Sequence, residues 1–500
     1  MQATGSSFPF LTAVLLLPLA ASVFIWLVRD SRQARWVALG ATLADLLLTL
    51  MMLWRFDPSN QGFQFIEHMT WIPTLHISYL IGVDGISILF LPLTQLLFIG
   101  VIVTSWSNVR AMPQLYFSLL LLLQVVTLGI FCALDTMLFF LFWEMTLLPL
   151  YFLISLWGIG PNRRYAALNY TLFMLAGGVP LLFGLLLLAF NHAAVTGTGI
   201  PEGLAFSYLQ LFKTAVPEGA QTLIFLLLLA GFAVKTPLIP LHTWLPVVAQ
   251  EGPVAILALL TGLKLGAYGL LRFVVPLAPQ AALKFHWLLA GLGVVGILYG
   301  AVLAVRQTNL RRMLAFSSIS HVGLVILGIA SFSIQGIQGA LFQLLNFTLI
   351  AGGICLLAGF LHHRIGSTDV LHLGGAAKSM PLLAGFFLLF GLAGMGVPGT
   401  SGFPAEFLIL VSAITTHTGA GLAALFGLVL GAGYFLRIYR QAFLGPVNGD
   451  VVADALDLGR RELILVCIYS GLILLLGFYP AGVLDFTKAA SEAWMARLTP

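Results

Sequence analysis

The chain has 500 residues, is 60% hydrophobic and only 8% charged, and its mean hydropathy of +1.03 lies far outside the range of soluble proteins. Its net charge of +5 is spread over short loops between apolar runs, which makes it a membrane-topology bias and excludes a nucleic-acid surface. No nucleotide-binding loop, haem motif or iron–sulfur spacing is present, and Cys132, Cys355 and Cys467 sit in or beside apolar runs at no metal spacing, as small core residues.

About fourteen apolar runs of roughly 18–28 residues follow one another, each long enough to cross a bilayer. They lie near 9–28, 36–54, 83–104, 114–132, 136–157, 166–190, 221–246, 253–273, 285–305, 309–331, 337–360, 381–411, 412–436 and 462–483. This predicts an all-α polytopic membrane protein with about 14 transmembrane helices, residues 1–500 forming a single membrane domain. The first run has no cation before Arg29 and is followed by Arg29, Arg32 and Arg35, which reads as a retained helix and not a signal peptide. The longest loops, near 55–82, 191–220 and 437–461, are too short to fold alone. With the N-terminus outside, fifteen lysines and arginines fall on odd-numbered loops and six on even-numbered ones, leaving Lys235 and Lys264 in the membrane out of 23. The positive-inside rule then places both termini outside.

Along the chain, Asp84 reads as a cap where helix three starts, and Asp135 as a cap for helix five. Glu144 follows in mid-helix five, within Phe142-Trp143-Glu144-Met145. Helix seven is interrupted at Lys235-Thr236-Pro237 and again at Pro240; helix twelve is interrupted at Val397-Pro398-Gly399-Thr400. Freed backbone groups at membrane depth are tolerated only beside protein or water, and broken helices at matching places in two halves are the signature of a transporter built from inverted repeats. Two inverted five-helix repeats are therefore expected, 114–273 and 285–436, with 462–483 as a C-terminal transmembrane helix.

A charge at the bilayer centre costs roughly 2.5–3.5 kcal/mol or more, so Glu144, Lys235, Lys264 and Glu406 need a partner, water or a task. The task that fits is moving a cation, foremost the proton. Glu144 and Lys235 form a candidate switch pair, because desolvation disfavours both charges while pairing favours both. Lys264, in Thr261-Gly262-Leu263-Lys264-Leu265-Gly266, has small neighbours that admit water and close helices. Glu406 follows the break of helix twelve as a terminal exchange group, or as a carboxylate at a helix start. His321, in Ser317-Ser318-Ile319-Ser320-His321, suits a relay between the halves or a plain hydrogen bond. His242 is a weaker candidate, and His362 and His363 read as loop residues beside Arg364.

The stretches Val83-Asp84-Gly85-Ile86-Ser87, Phe142-Trp143-Glu144-Met145 with Pro149, Ala233-Val234-Lys235-Thr236-Pro237 through His242-Thr243-Trp244-Leu245-Pro246, Lys264 through Ala267-Tyr268-Gly269-Leu270, Gln307-Thr308-Asn309-Leu310-Arg311-Arg312 through Ser320-His321-Val322-Gly323, and Gly396-Val397-Pro398-Gly399-Thr400 through Glu406-Phe407 together resemble the antiporter-like subunits of respiratory complex I. The type resembled is chain 4, the M subunit of bacteria and the D subunit of photosynthetic complex I. The resemblance implies fourteen helices, two inverted repeats and proton translocation, with Glu144 and Lys235 as modulating pair, Lys264 as central relay and Glu406 as terminal group. It implies a subunit of a quinone oxidoreductase with no cofactor on this chain, quinone and iron–sulfur clusters on partner subunits, membrane and peripheral partners of a complex I-type assembly, surrounding lipids, and a bacterial cytoplasmic or cyanobacterial thylakoid membrane.

Two departures stand out. The family has Asp-Ala-His after Trp-Leu-Pro in helix seven, with Ala-Pro shortly after, where this chain has Val247-Val248-Ala249-Gln250-Glu251-Gly252-Pro253. The family has a histidine or lysine in mid-helix eleven, where this chain has Asn346, which holds water but carries no proton charge. A relay past Asn346 then needs water, Gln343 or His321. These departures resemble the cyanobacterial D subunit specialised for carbon dioxide uptake. The competing readings are a subunit of a multisubunit sodium/proton antiporter, for which Thr236 and Thr400 are the obvious extra oxygen ligands, and a non-pumping membrane scaffold.

Overall fold

The computed structural model describes residues 8–28 and 30–498, so Arg29 lies outside the described residues. Twelve helices among those residues are long and apolar enough to cross a membrane. They are α1 (Phe10–Leu27), α2 (Ser31–Arg55), α4 (Pro113–Cys132), α5 (Thr136–Trp157), α6 (Arg163–Thr196), α7 (Glu218–Lys235), α8 (Val254–Leu277), α9 (His286–Val305), α10 (Leu310–Ala330), α11 (Ile334–Ile365), α13 (Thr418–Phe443) and α14 (Arg460–Phe478). The third and twelfth expected spans are shorter apolar helices: α3 (Phe90–Ser105), and α12 in two pieces, Pro381–Gly394 and Gly402–Thr416. A further helix, α15 (Ala481–Ala496), follows the last span.

Side-chain caps fix several helix starts. Asp135 accepts from the amides of Met137 and Leu138 at 2.9 and 3.1 Å, Asn309 from Arg311 at 3.0 Å, and Ser333 from Gly336 at 3.1 Å. Burial then sorts the helices. The apolar windows of α4, α8, α10 and α11 are 83–94% buried, whereas those of α2, α13 and α14 are 28–33% buried. The first set forms the interior, and it carries Lys264, His321 and Asn346; the second set forms the rim.

Several expectations are corrected. Residues 55–83 are not a plain loop leading into helix three: β1 (Gln64–Ile72) and β2 (Ile77–Val83) form an antiparallel hairpin, and α3 begins at Phe90. Its turn closes on His76 in the left-handed region at φ 55°, so no glycine marks it. Arg272 is not a loop cation. It is buried in a π-helical turn of α8, Leu270–Val274, and pairs with Asp84 through two N–H···O contacts, one of 2.7 Å. Asp84 also accepts from the amides of Ile86 and Ser87 at 3.1 Å each, so it is a cap and an ion-pair partner at once. His362 and His363 belong to the last turn of α11, and Cys467 is exposed on α14.

Candidate functional site

The break of α7 begins after Lys235, and helix resumes at Trp244–Glu251. Lys235 reaches back to α5, donating to the carbonyl of Trp143 at 3.1 Å and to Thr146 Oγ1 at 2.9 Å, with its ammonium 3.8 Å from the centre of the Trp143 indole. Glu144 is the residue between these partners. No ion pair within 4 Å joins it to Lys235 among the described residues; its Oε1 is buried without a hydrogen-bond partner, against Gly178 of α6. The ammonium is thus held by neutral groups on either side of the carboxylate, within reach of a change of partner.

Lys264 does not sit in an unbroken helix. α8 is interrupted at Leu263 and Lys264, and Lys264 starts the next helical turn with φ −95° and ψ 59°. This break packs on that of α7: a Cβ on Gly266 would strike Thr236 and the Lys235 carbonyl carbon, so only glycine admits the contact. Between them lies a cavity of about 40 Å3 for water centres, lined by Lys235, Thr146, Tyr170, Thr127 and the residues flanking Lys264, Leu263 and Leu265. One water needs roughly 10–15 Å3, so the space has room for more than one beside the ammonium, and leucines make up most of the remaining wall.

Lys264 donates to Ser318 of α10 and faces the Phe347 ring at 5.0 Å. Beyond it a second cavity, of about 60 Å3 for water centres, is lined by Ser317, Ser318, His321, Gln343, Asn346 and Tyr434, among others. Asn346 donates to the carbonyl of Ser401, at the break of α12, at 2.7 Å. Its Oδ1, Gln343 Oε1, Ser401 Oγ and Glu406 Oε1 are all buried with no partner. Buried acceptors of this kind are ordinarily satisfied, and of these four Gln343 and Asn346 open onto the second cavity, whose wall is otherwise largely apolar.

His321 stands between this cavity and Glu406. Its Nδ1 lies 2.8 Å from the carbonyl of Ser317, its Nε2 lies 2.8 Å from the carbonyl of Gly394, and Nε2 is 3.8 Å from Glu406 Oε1. Carbonyl oxygens only accept, and a neutral imidazole has one N–H, so the neutral ring donates to one of these two carbonyls at a time. Glu406 itself is in the second piece of α12, pressed against Gly396 of the break, where φ is +66° and a Cβ would meet the carboxylate.

The structure therefore places Lys235 on one cavity, with the neighbours of Lys264 on its wall, and His321 and Asn346 on the next, with Glu406 3.8 Å from His321. Three groups escaped the sequence reading. Thr146 and Ser318 are the direct partners of the two lysines, and Tyr434 of α13 bonds Ser317 at 2.7 Å on the cavity wall. The Ser317-Ser318-Ile319-Ser320-His321 patch in an otherwise apolar helix was the available signal. His242 is buried with Nδ1 unpaired, edge-on to Tyr299. Among the described residues no group of three or more His, Cys, Asp or Glu is placed to hold a metal ion.

Residues 133–431 match the family described as NADH:quinone oxidoreductase/Mrp antiporter, TM. The chain is 38% identical to NAD(P)H-quinone oxidoreductase chain 4 1 of Synechococcus elongatus, over 98% of this chain and 92% of that protein. It is 34% identical to NADH-quinone oxidoreductase subunit M of Rickettsia typhi, over 97% and 98%. In structure it is similar to a chain of respiratory complex I from Thermus thermophilus with bound NADH, with a TM-score of 0.89, 28% identity, and coverage of 98% of this chain and 100% of that one. A chain of the Mrp complex from a Dietzia species shares the fold, with a TM-score of 0.84, 22% identity, and coverage of 98% and 100%.

Proposed function

The chain belongs to the NADH:quinone oxidoreductase/Mrp antiporter transmembrane family, and from that premise we propose that it is the chain-4 or M-type, proton-translocating membrane subunit of a complex I-type quinone oxidoreductase. It carries no redox step itself; quinone and iron–sulfur clusters belong to partner subunits, and this chain turns the energy of their reaction into proton transfer within a bacterial cytoplasmic or thylakoid membrane. Residues 114–273 and 285–436 are the two inverted repeats; the first holds the breaks of α7 and α8 and the second the break of α12.

The observation that carries this reading is the file of titratable groups and water-sized spaces that runs from α5 and α7 through the buried α8 and α10 to α12. Glu144 sets the charge beside Lys235. Lys235 exchanges with Lys264 through the first cavity, and Lys264 passes a proton by Ser318 and the second cavity to His321 and Glu406. Asn346 takes part by orienting water. The sodium/proton antiporter reading fits less well. The Mrp chain is similar at 22% identity, against 34–38% for the quinone oxidoreductase subunits. A non-pumping scaffold would have no use for four costly intramembrane charges.

The test is Lys235→Ala and Glu406→Gln in the assembled complex, with proton uptake and quinone reduction measured in the same vesicles. General acid–base groups contribute about 10²–10⁴-fold to the steps they serve, so proton uptake per electron falls about tenfold or more in each variant while the subunit still assembles. Wild-type uptake per electron in either would remove that residue from the path.

A further inference from the structure

Another charged-type side chain lies deep in the helices, in a place the proton path does not visit. Asp45 is on α2, ten residues before its end at Arg55, and is 0% exposed. At 1.5 Å per residue that is about 15 Å below the helix end, well inside the membrane. Two amides from neighbouring helices converge on one of its oxygens: Gln95 of α3 donates to Oδ2 at 3.2 Å and Gln124 of α4 donates to Oδ2 at 2.9 Å. Thr42, one turn earlier on α2, donates to Gln124 Oε1 at 3.0 Å and fixes the direction of that amide. The other oxygen, Oδ1, has no partner, and neither has Gln95 Oε1.

Among the described residues no cation pairs with a carboxylate here. The helices packed on α2 are α1, α3 and α4, and none carries an Asp, Glu, Lys, Arg or His anywhere in its span. Their titratable side chains are Tyr116, whose hydroxyl is occupied by Ser105 at 2.8 Å, and the buried Cys132. On α2 itself the cations are at the ends: Arg55 over the Phe10 ring, Arg35 on the carbonyl of Val109, and Arg32 in the first turn. An ionised acid at this depth would be a buried charge without a counter-ion, the costliest arrangement a membrane protein can hold. A neutral acid, by contrast, needs its carbonyl oxygen solvated and a proton on the other oxygen. The site supplies two donors to Oδ2 and leaves Oδ1 free of donors.

We propose that Asp45 is a proton-binding site in the N-terminal helices, separate from the relay, occupied at rest so that Asp45 is a carboxylic acid with its proton on Oδ1 and its carbonyl oxygen Oδ2 held by Gln95 and Gln124. The bound proton lets one side chain tie α2, α3 and α4 together without burying a charge. Its argument does not draw on the proton path, and it stands or falls apart from it.

The measurement is infrared difference spectroscopy on membranes holding the intact complex. The wild-type minus Asp45→Asn spectrum shows loss of one carboxylic-acid C=O stretch, which moves to lower wavenumber in D2O because the acid carries an exchangeable proton. Loss of a carboxylate stretch instead would overturn the proposal. Gln95→Leu gives an independent reading, usable even where Asp45→Asn fails to assemble. It removes one of two donors to Oδ2, so the acid C=O stretch shifts to higher wavenumber; a spectrum with no shifted acid band would also overturn it.

Discussion

His321→Phe is the sharpest perturbation of the second half. It keeps a flat ring of similar size and removes both ring nitrogens. In the structure His321 bonds the carbonyls of Ser317 and Gly394 at 2.8 Å each and lies 3.8 Å from Glu406. At 3.8 Å and an effective dielectric constant of about 20, a full imidazolium–carboxylate attraction is about 4 kcal/mol. Each 1.4 kcal/mol or so of a barrier is about tenfold in rate, so even a third of that coupling, applied to proton arrival at Glu406, slows the step about tenfold. Proton uptake per electron in His321→Phe therefore falls about tenfold or more, with quinone reduction and assembly near wild type. A double-mutant cycle with Glu406→Gln locates the effect: two groups acting in one transfer give a double variant no worse than the worse single. Wild-type uptake in His321→Phe, or fully additive losses in the double variant, would refute a transfer between His321 and Glu406.

Asn346→Leu removes both the donor to Ser401 and an unpaired acceptor from the second cavity and fills it with carbon, so proton uptake drops severalfold; Asn346→His, which can hold water and a proton, retains uptake, and equal uptake in both variants would show that protons do not pass this wall. Arg272→Met leaves the buried Asp84 carboxylate without its cation, and breaking one partner of a buried pair costs about 3–5 kcal/mol, so the subunit shows a clear loss of assembled complex and of thermal stability. Restoring assembly by adding Asp84→Leu to Arg272→Met would attribute the loss to the stranded charge.

The breaks of α7 and α12 were legible because proline and glycine announce them at Pro237, Pro240, Pro398 and Gly399. The break at Lys264 was not, since no proline marks it; it comes from packing against α7 at Gly266, a contact between residues about thirty apart. The hairpin at 64–83 hid for a similar reason, its turn built on a left-handed histidine and not on glycine. Lys235, Lys264, Glu144 and Glu406 stood out as charges in apolar runs, but their partners did not. Thr146, Ser318 and Tyr434 are ordinary helix residues until the fold turns them toward an ammonium or a cavity. Arg272, at the end of the run 253–273, reads as a loop cation, whereas Asp45 stands at the middle of the run 36–54 and was legible as an intramembrane charge; Gln95, Gln124 and Asp84 meet them only in space.

The second half raises a physical question that the first does not: how a charge crosses from Lys264 to Glu406 past a side chain that takes no proton. The arrangement around Lys264 suggests the order of events. Among the described residues it has no acidic partner within 4 Å, only Ser318 and the face of Phe347. An ammonium with so little compensation is readily displaced when positive charge gathers at Lys235 on the other side of the shared break. His321, by contrast, has a carbonyl 2.8 Å from each ring nitrogen and the Glu406 carboxylate 3.8 Å from Nε2. A proton leaving Lys264 through cavity water thus moves from a poorly compensated position to a well compensated one. On the proposed path the task of a titratable group on α11 falls to His321 of α10, and Asn346 ties α11 to the α12 break through its bond to Ser401.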